Sequence, residues 1–313
     1  MSGSPASPAG PMAIAADLGA TKLAVGIVGG AGELASYREE RTPEGAGAMR
    51  RLIELVGQAH DDWPATVCVG IGTTGLVEWP SGTIVWAPAS GFSGTALRGR
   101  VEEATGLPAV VDTDVNVAAY GELRYGAARG AANVIVLTIG TGIGCTLVLN
   151  GAVFRGSHGF AGEGGHISVD RAGPLCRCGN SGCLEAVCSG TALEEAVARL
   201  TGVKRTGEEI IAAARGGDVQ ALAAVREVGC WLGISVASLV NLLDPERVIV
   251  GGGLAEAGDL LFCPARERMA EFVVGRHARS LPEILPARLG PRAGVIGAGA
   301  LALSRYQRGA DAG

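Results

Sequence analysis

Four residues in one glycine-rich stretch carry the side chains of a metal centre. His166 is followed by Cys176, Cys178 and Cys183 in the pattern H-x9-C-x-C-x4-C. Three thiolates and an imidazole form a closed tetrahedral set, which favours structural zinc over magnesium or calcium and leaves no open position for a catalytic metal. The competing reading is four chance residues, two of them in a labile disulfide. Cys188 lies too near the following helix to be chosen as a ligand. Carboxylates interleave with the set, Glu163 three positions before His166 and Glu185 two after Cys183. Metal binding would clamp both acids onto a common surface. Glu163, between Gly162 and Gly164, is badly placed for a helix face, which favours a ligand contact.

A second group has the chemistry of a phosphate cradle. Asp17, Gly19 and Thr21 spell D-x-G-x-T, with Lys22 beside them. Glycine lets backbone N–H groups approach a phosphate, threonine adds a hydroxyl, and aspartate can hold hydrated magnesium. Gly140, Thr141, Gly142, Ile143 and Gly144 form another such turn without a carboxylate. It has neither the G-x-G-x-x-G spacing of a dinucleotide site nor the P-loop pattern. Gly251, Gly252 and Gly253 follow a VIV strand, where backbone can lie against a base or ribose. Glycine is abundant here and would explain any one of these turns alone; the three together imply a nucleotide held in a cleft between two domains.

The segment VVDTDVNVAAYGE sets Asp112, Asp114 and Asn116 where a strand runs into a helix. Asp114 is positioned to accept a proton from a hydroxyl attacking phosphorus. Asp112 is read as structural, and either aspartate is a candidate N-cap for a helix starting near Val115.

The elements that must hold these groups follow from hydrophobic rhythm. From Ala13 the chain reads as strand, glycine turn, strand, and from Asn133 the same rhythm returns about 120 residues later, as expected of two related domains. Apolar residues recur at helical spacing over 46–60, 94–105, 115–126, 189–200, 206–216 and 218–243. Strands are expected at 66–72, 83–86, 109–112 and 247–250, so the class is α/β with mixed sheets. The stretch from Val228 to Leu243 is charge-free and reads as a buried helix stopped by Asp244-Pro245. A small, apolar closing helix is expected at 293–305, packed on a sheet. Gly130 to Phe154 also lacks charge, but alternating glycines at its centre favour a buried hairpin over a membrane span. The expected division is a lead-in at 1–11, a smaller domain at 12–126 joined by the closing helix, and a larger domain at 127–292 carrying the zinc loop.

Composition narrows the function. The 313 residues include 31 acidic and 26 basic side chains, a net charge of −5, which excludes a polycationic nucleic-acid binder. Hydrophobic residues at 48% supply two cores. Glycine stands out at 51 residues, about twice its usual share of about 7%. Eight cysteines could suggest disulfides, but MSGSPASPAGPM has no basic or apolar signal region, so a reducing cytoplasm is expected.

Together these residues resemble the ROK family (repressors, open reading frames, kinases) of bacterial sugar kinases, within the actin-like ATPase superfamily. The similarity runs from Ala13 to about Leu303, through D-x-G-x-T at 17–21, GTGIG at 140–144, AGEGGH at 161–166, CRCGNSGCLE at 176–185 and VGGG at 250–253. It implies a two-domain actin-like (ribonuclease H-like) fold and transfer of the γ-phosphoryl group of ATP to a sugar hydroxyl, usually the 6-OH of a hexose. It also implies Asp114 as base; Gly75, Thr113, Asp114, Glu163, His166 and Glu185 as sugar contacts; and Asp17, Gly19, Thr21, Lys22, Thr141, Gly142, Gly252 and Gly253 around Mg-ATP. His166 would give one ring nitrogen to zinc and the other to sugar. Thr113 stands where glucokinases of the family carry Asn, DTDVN is fructokinase-like, and C-x-C-G is glucokinase-like. Glucose leads, ahead of fructose, mannose, an N-acetylhexosamine or a carbasugar cyclitol. The alternatives of another class are a regulator of the family and an inactive sugar sensor. The resemblance also suggests a homodimer or homotetramer; neither nucleic acid nor membrane is an expected partner.

Overall fold

Two apolar hairpins seed two sheets. In this computed structural model, which describes residues 10–87 and 91–310, β1 (Met12–Leu18) and β2 (Lys22–Val28) form the first hairpin. A third antiparallel strand, β3 (Leu34–Arg41), lies at its edge. Most of the lead-in expected at 1–11 lies outside the described residues. After α1 (Ala46–Asp62), β4 (Thr66–Thr73) joins β1 in parallel. A small three-stranded sheet follows: β5 (Leu76–Glu78), β6 (Thr83–Trp86) and β7 (Thr95–Ala96). Next come α2 (Leu97–Thr105), β8 (Ala109–Thr113), parallel to β4, and α3 (Asp114–Tyr125). The helix expected from 94 begins later because Thr95 and Ala96 pair with β6.

The second hairpin is β9 (Val134–Ile139) with β10 (Ile143–Leu149), followed by β11 (Ala152–Phe154). The charge-free stretch 130–154 is therefore a strand hairpin. The zinc-type loop leads into α4 (Leu184–Cys188), α5 (Gly190–Thr201), α6 (Gly207–Arg215) and α7 (Val219–Leu243). Then β12 (Arg247–Gly251), α8 (Asp259–Phe272) and β13 (Glu283–Pro286) precede the closing α9 (Ala293–Ala310). Asp218 caps α7 by accepting from the Gln220 and Ala221 N–H groups, and Asp244 ends it in the left-handed conformation. By length and apolarity α7 could cross a membrane, yet 61% of its most apolar window is buried inside the protein. Gly229 and Gly233 let it lie against the Leu261 and Ala265 carbonyls of α8.

The strand orders are β3-β2-β1-β4-β8 and β11-β10-β9-β12-β13. Each is an antiparallel three-strand meander extended by two parallel strands, so the duplication expected from the two hairpins is present in topology. The chain divides into two compact units. One comprises 1–130, 153–161 and 288–313; the other comprises 131–152 and 162–287. The first is built around Ile14, Leu18, Leu23, Leu52, Ile71 and Val111, with α9 packed on its sheet. The second is built around Ile135, Leu137, Leu232, Val236, Val248 and Leu261.

Candidate active site

In the first unit, Asp17 is the penultimate residue of β1, and β8 ends where α3 begins with Asp114. Gly72 of β4 lies between them: a Cβ built there would sit 3.3 Å from Asp114 Cα and 3.6 Å from Asp17 Oδ1. The same Cβ would meet Val117 Cγ2 at 2.5 Å, so glycine here lets α3, with Asp114 at its start, lie close on β4. Asp17 is half-buried, and its pKa is pushed up to about 7 by burial and then by Asp114, with Lys22 opposing. Two carboxylates crowded in this way create the negative potential that a divalent cation relieves. The turn is fixed by Gly19 N–H donating to the Lys22 carbonyl at 2.9 Å and Thr42 Oγ1 donating to the Gly19 carbonyl at 2.9 Å. The Lys22 ammonium is 3.1 Å from Glu39 and donates to the Pro291 carbonyl.

The N-cap of α3 is Thr113, whose Oγ1 accepts from Asn116 N–H at 3.3 Å. This corrects the expectation that Asp112 or Asp114 would cap the helix. Asp112 is instead bound by Arg155, which lies 43 residues further along the chain. Asp114, freed from capping, occupies the first turn, with Oδ1 accepting from Val115 N–H at 2.9 Å. Gly75 adopts φ 100° in the turn after β4, packed against the Trp86 carbonyl and Ala87.

In the second unit, the GTGIG turn is held from several sides. Gly190 N–H donates to the Gly140 carbonyl at 2.8 Å and Thr191 Oγ1 to the Thr141 carbonyl at 2.8 Å. Glu185 Oε2 accepts from Ile143 N–H at 2.9 Å, while Oε1 meets Arg177 at 3.3 Å. Gly252, at φ 86°, presses on the backbone of Ile139. Cβ atoms built on Gly140 and Gly253 would meet open space.

His166, Cys176, Cys178 and Cys183 present ligand atoms that all lie within 4.8 Å of one another. The Cys178 and Cys183 sulfurs are 3.6 Å apart, and Cys176 Sγ is 3.7 Å from His166 Nδ1. A tetrahedron with bonds of about 2.3 Å has edges of about 3.8 Å, so the donor set fits zinc. The opposite ring nitrogen, Nε2, faces Glu163 Oε2 at 4.0 Å. Partial burial and then Glu185 raise the Glu163 pKa, with His166 opposing. Gly164 and Gly165 pack against Cys145 and Ile143 of β10. Their flatness brings Glu163 and His166 onto that strand. Cys188 is buried and donates to the Val228 carbonyl, apart from the cluster. Neither Gly72 nor Arg155 carries a local sequence signal, because their partners lie far along the chain.

The profile of the ROK family matches residues 13–305. This chain belongs to the ROK family. Its relatives include the glucokinase of Streptomyces coelicolor, 36% identical over 93% of this chain and 97% of that protein. The Bacillus subtilis xylose repressor is 31% identical over 82% of this chain and 67% of the repressor. Among solved structures, the ROK glucokinase of Streptomyces griseus, crystallised with glucose and AMPPNP, has a TM-score of 0.84 and 35% identity, covering 94% of this chain and 99% of that one. The ROK hexokinase of Thermus thermophilus has a TM-score of 0.81 and 32% identity, covering 95% and 99%. The ROK chain accordingly has the two-domain actin-like ATPase fold expected from its sequence.

Proposed function

We propose that glucose is the acceptor: this ROK chain is an ATP-dependent sugar kinase, and the reaction yields glucose 6-phosphate. The observation that carries the reading is the approach of Asp17 and Asp114 to Gly72 of β4 from the strands on either side of it, two carboxylates that suit a cation ligand and a base. Asp114 takes the proton of the sugar hydroxyl as its oxygen bonds to the γ-phosphorus, and the bond from that phosphorus to the β–γ bridging oxygen breaks to release ADP. Glu163, His166 through Nε2, Glu185, Thr113 and the Gly75 backbone orient the sugar. The Thr113 hydroxyl accepts from Asn116, so its proton is what it can offer a sugar oxygen. Asp17, Gly19, Thr21 and Lys22 face the magnesium and phosphates, and Thr141, Gly142, Gly252 and Gly253 hold the nucleotide. Magnesium, when bound, would offset phosphate charge, and His166 with the three cysteines would hold a zinc ion that fixes the imidazole. A cytoplasmic location accords with the free cysteines.

A coupled ADP-release assay over glucose, fructose, mannose, N-acetylhexosamines and a carbasugar cyclitol tests this reading. Glucose should give the highest kcat/KM. A different winner replaces the acceptor, and failure of every sugar to stimulate turnover favours an inactive sugar-sensing member, the reading supported by the repressor relatives.

A further inference from the structure

We propose that Arg155 is a positioning residue for Asp114, acting through Asp112. The proposal rests on the kinase reading for the role of Asp114, but its geometry stands separately. Asp112 is the penultimate residue of β8 and its side chain is 3% exposed. Both carboxylate oxygens are engaged. Oδ1 accepts from Thr113 N–H and Asn116 Nδ2 at 2.8 Å each, and Oδ2 accepts from Arg155 Nε at 2.8 Å, with Nη2 2.7 Å away in the ion pair. The side chain thus grips the first turn of α3 at two points, one on each side of Asp114.

Arg155 supplies the partner that a carboxylate buried this deeply needs. It is itself held: its guanidinium lies 3.9 Å from the centroid of the Trp79 ring, and Nη1 donates to the Val153 carbonyl at 3.2 Å. Trp79 N–H in turn donates to the His158 carbonyl at 3.1 Å. Arg155 and His158 both lie on the 153–161 segment of the first unit, which runs in sequence directly into AGEGGH. Without the guanidinium, Asp112 would lose the partner of its Oδ2 and turn toward water, and its hold on Thr113 and Asn116 would weaken. Asp114 would remain present but lose its fixed direction. Because Arg155 reaches the start of α3 through Asp112, its removal should affect turnover more than substrate binding.

The test uses the full zinc-loaded chain with Arg155→Ala, Arg155→Lys and Asp112→Asn. We expect kcat to fall about tenfold to a hundredfold in Arg155→Ala, the scale of a misplaced catalytic group, while KM for ATP and sugar changes little. Added guanidinium should restore part of the Arg155→Ala rate and leave wild type unchanged. Arg155→Lys keeps the charge without the fork and should stay well below wild type. Asp112→Asn combined with Arg155→Ala should be no worse than either alone. Unchanged kcat in folded Arg155→Ala, full recovery by lysine, or loss confined to KM would overturn the proposal. If Arg155→Ala does not fold, Arg155→Lys carries the test. If no sugar stimulates even the wild type, the kinase reading fails, and deuterium exchange decides the positioning role. Faster exchange at the Thr113 and Asn116 amides of Arg155→Lys, with α1 unchanged, supports it; equal exchange in wild type and variant overturns it.

Discussion

At Asp17 the requirements of the site and of the fold pull in opposite directions. Burial and the neighbouring Asp114 raise its pKa from an ordinary 3.8 to about 7. The folded state therefore holds this proton more tightly than the unfolded chain does. Its stabilising contribution is full below about pH 4 and is lost as pH rises through 7, where a desolvated charge must be carried instead. Asp17→Asn removes that cost. In magnesium-free buffer the variant should gain stability over wild type between pH 5 and pH 8, by about 1–3 kcal/mol at the upper end. Parallel urea titrations at the two pH values measure the difference, and a gap that shrinks with pH would mean that Asp17 is not desolvated. Asp114 carries the opposite kind of test, since its loss should spare the fold. Asp114→Ala should keep sugar binding by calorimetry while kcat drops by about 10²–10⁴; an unchanged kcat would remove it from the mechanism.

Among the elements, α3 carries a buried carboxylate of its own, beyond the Asp112 of β8 that grips its first turn. Glu122, 1% exposed, accepts from Ala127 N–H at 2.6 Å with one oxygen and from Arg288 and Leu289 N–H at 2.9 and 2.8 Å with the other. It thus ties the end of α3 to the point where the chain re-enters the first unit. Glu122→Gln turns an amide NH₂ toward backbone donors and should cost about 2–4 kcal/mol, read as a fall in the urea midpoint; wild-type stability would show the clamp is dispensable. The zinc loop makes a different prediction. Cys178→Ser should release zinc and weaken sugar binding together, because the metal orients His166; full zinc occupancy by elemental analysis would argue against that coupling. How far these elements were legible depended on whether their partners are local. The long helices at 46–62, 190–201 and 219–243 declare themselves by apolar spacing, and the two hairpins by glycine between apolar runs. Strand β3, LASYREER, has the composition of a solvated edge and carries no such signal. Helix α8 is masked by Pro264 and by charges at Arg266, Glu267 and Arg268. The clustering of His166, Cys176, Cys178 and Cys183 was legible because all four fall within one short segment. Arg155, Glu122 and Gly72 were not, because each acts on residues far along the chain.

For the whole molecule, the glycine excess and the recurring strand order have a common physical meaning. Both units use the same meander-plus-parallel sheet, and tight packing of helices on sheet and on one another absorbs much of the glycine that no ligand turn requires. At Gly70 a Cβ would run into the Ala298 carbonyl of α9, and at Gly297 into the Val117 carbonyl of α3. Helix α9 therefore lies almost on the backbone of its neighbours, and it comes from the far end of a chain segment that last left the first unit at residue 161. Val295, Ile296, Leu301 and Leu303 of this helix are buried. At about 1.5–3 kcal/mol per buried side chain, those four contribute about 6–12 kcal/mol, comparable to the whole stability of a domain, about 5–15 kcal/mol. A chain truncated after Arg292 should lose the cooperative unfolding of the first unit and all kinase turnover. The main core of the second unit takes no residue from α9, so that unit should keep its own thermal transition and its zinc. Hydrogen exchange by mass spectrometry would then show β1, β4 and α3 unprotected while β9, β12 and α7 stay protected. Uniform protection across both units in the truncated chain would show that the first unit's core closes without its last helix.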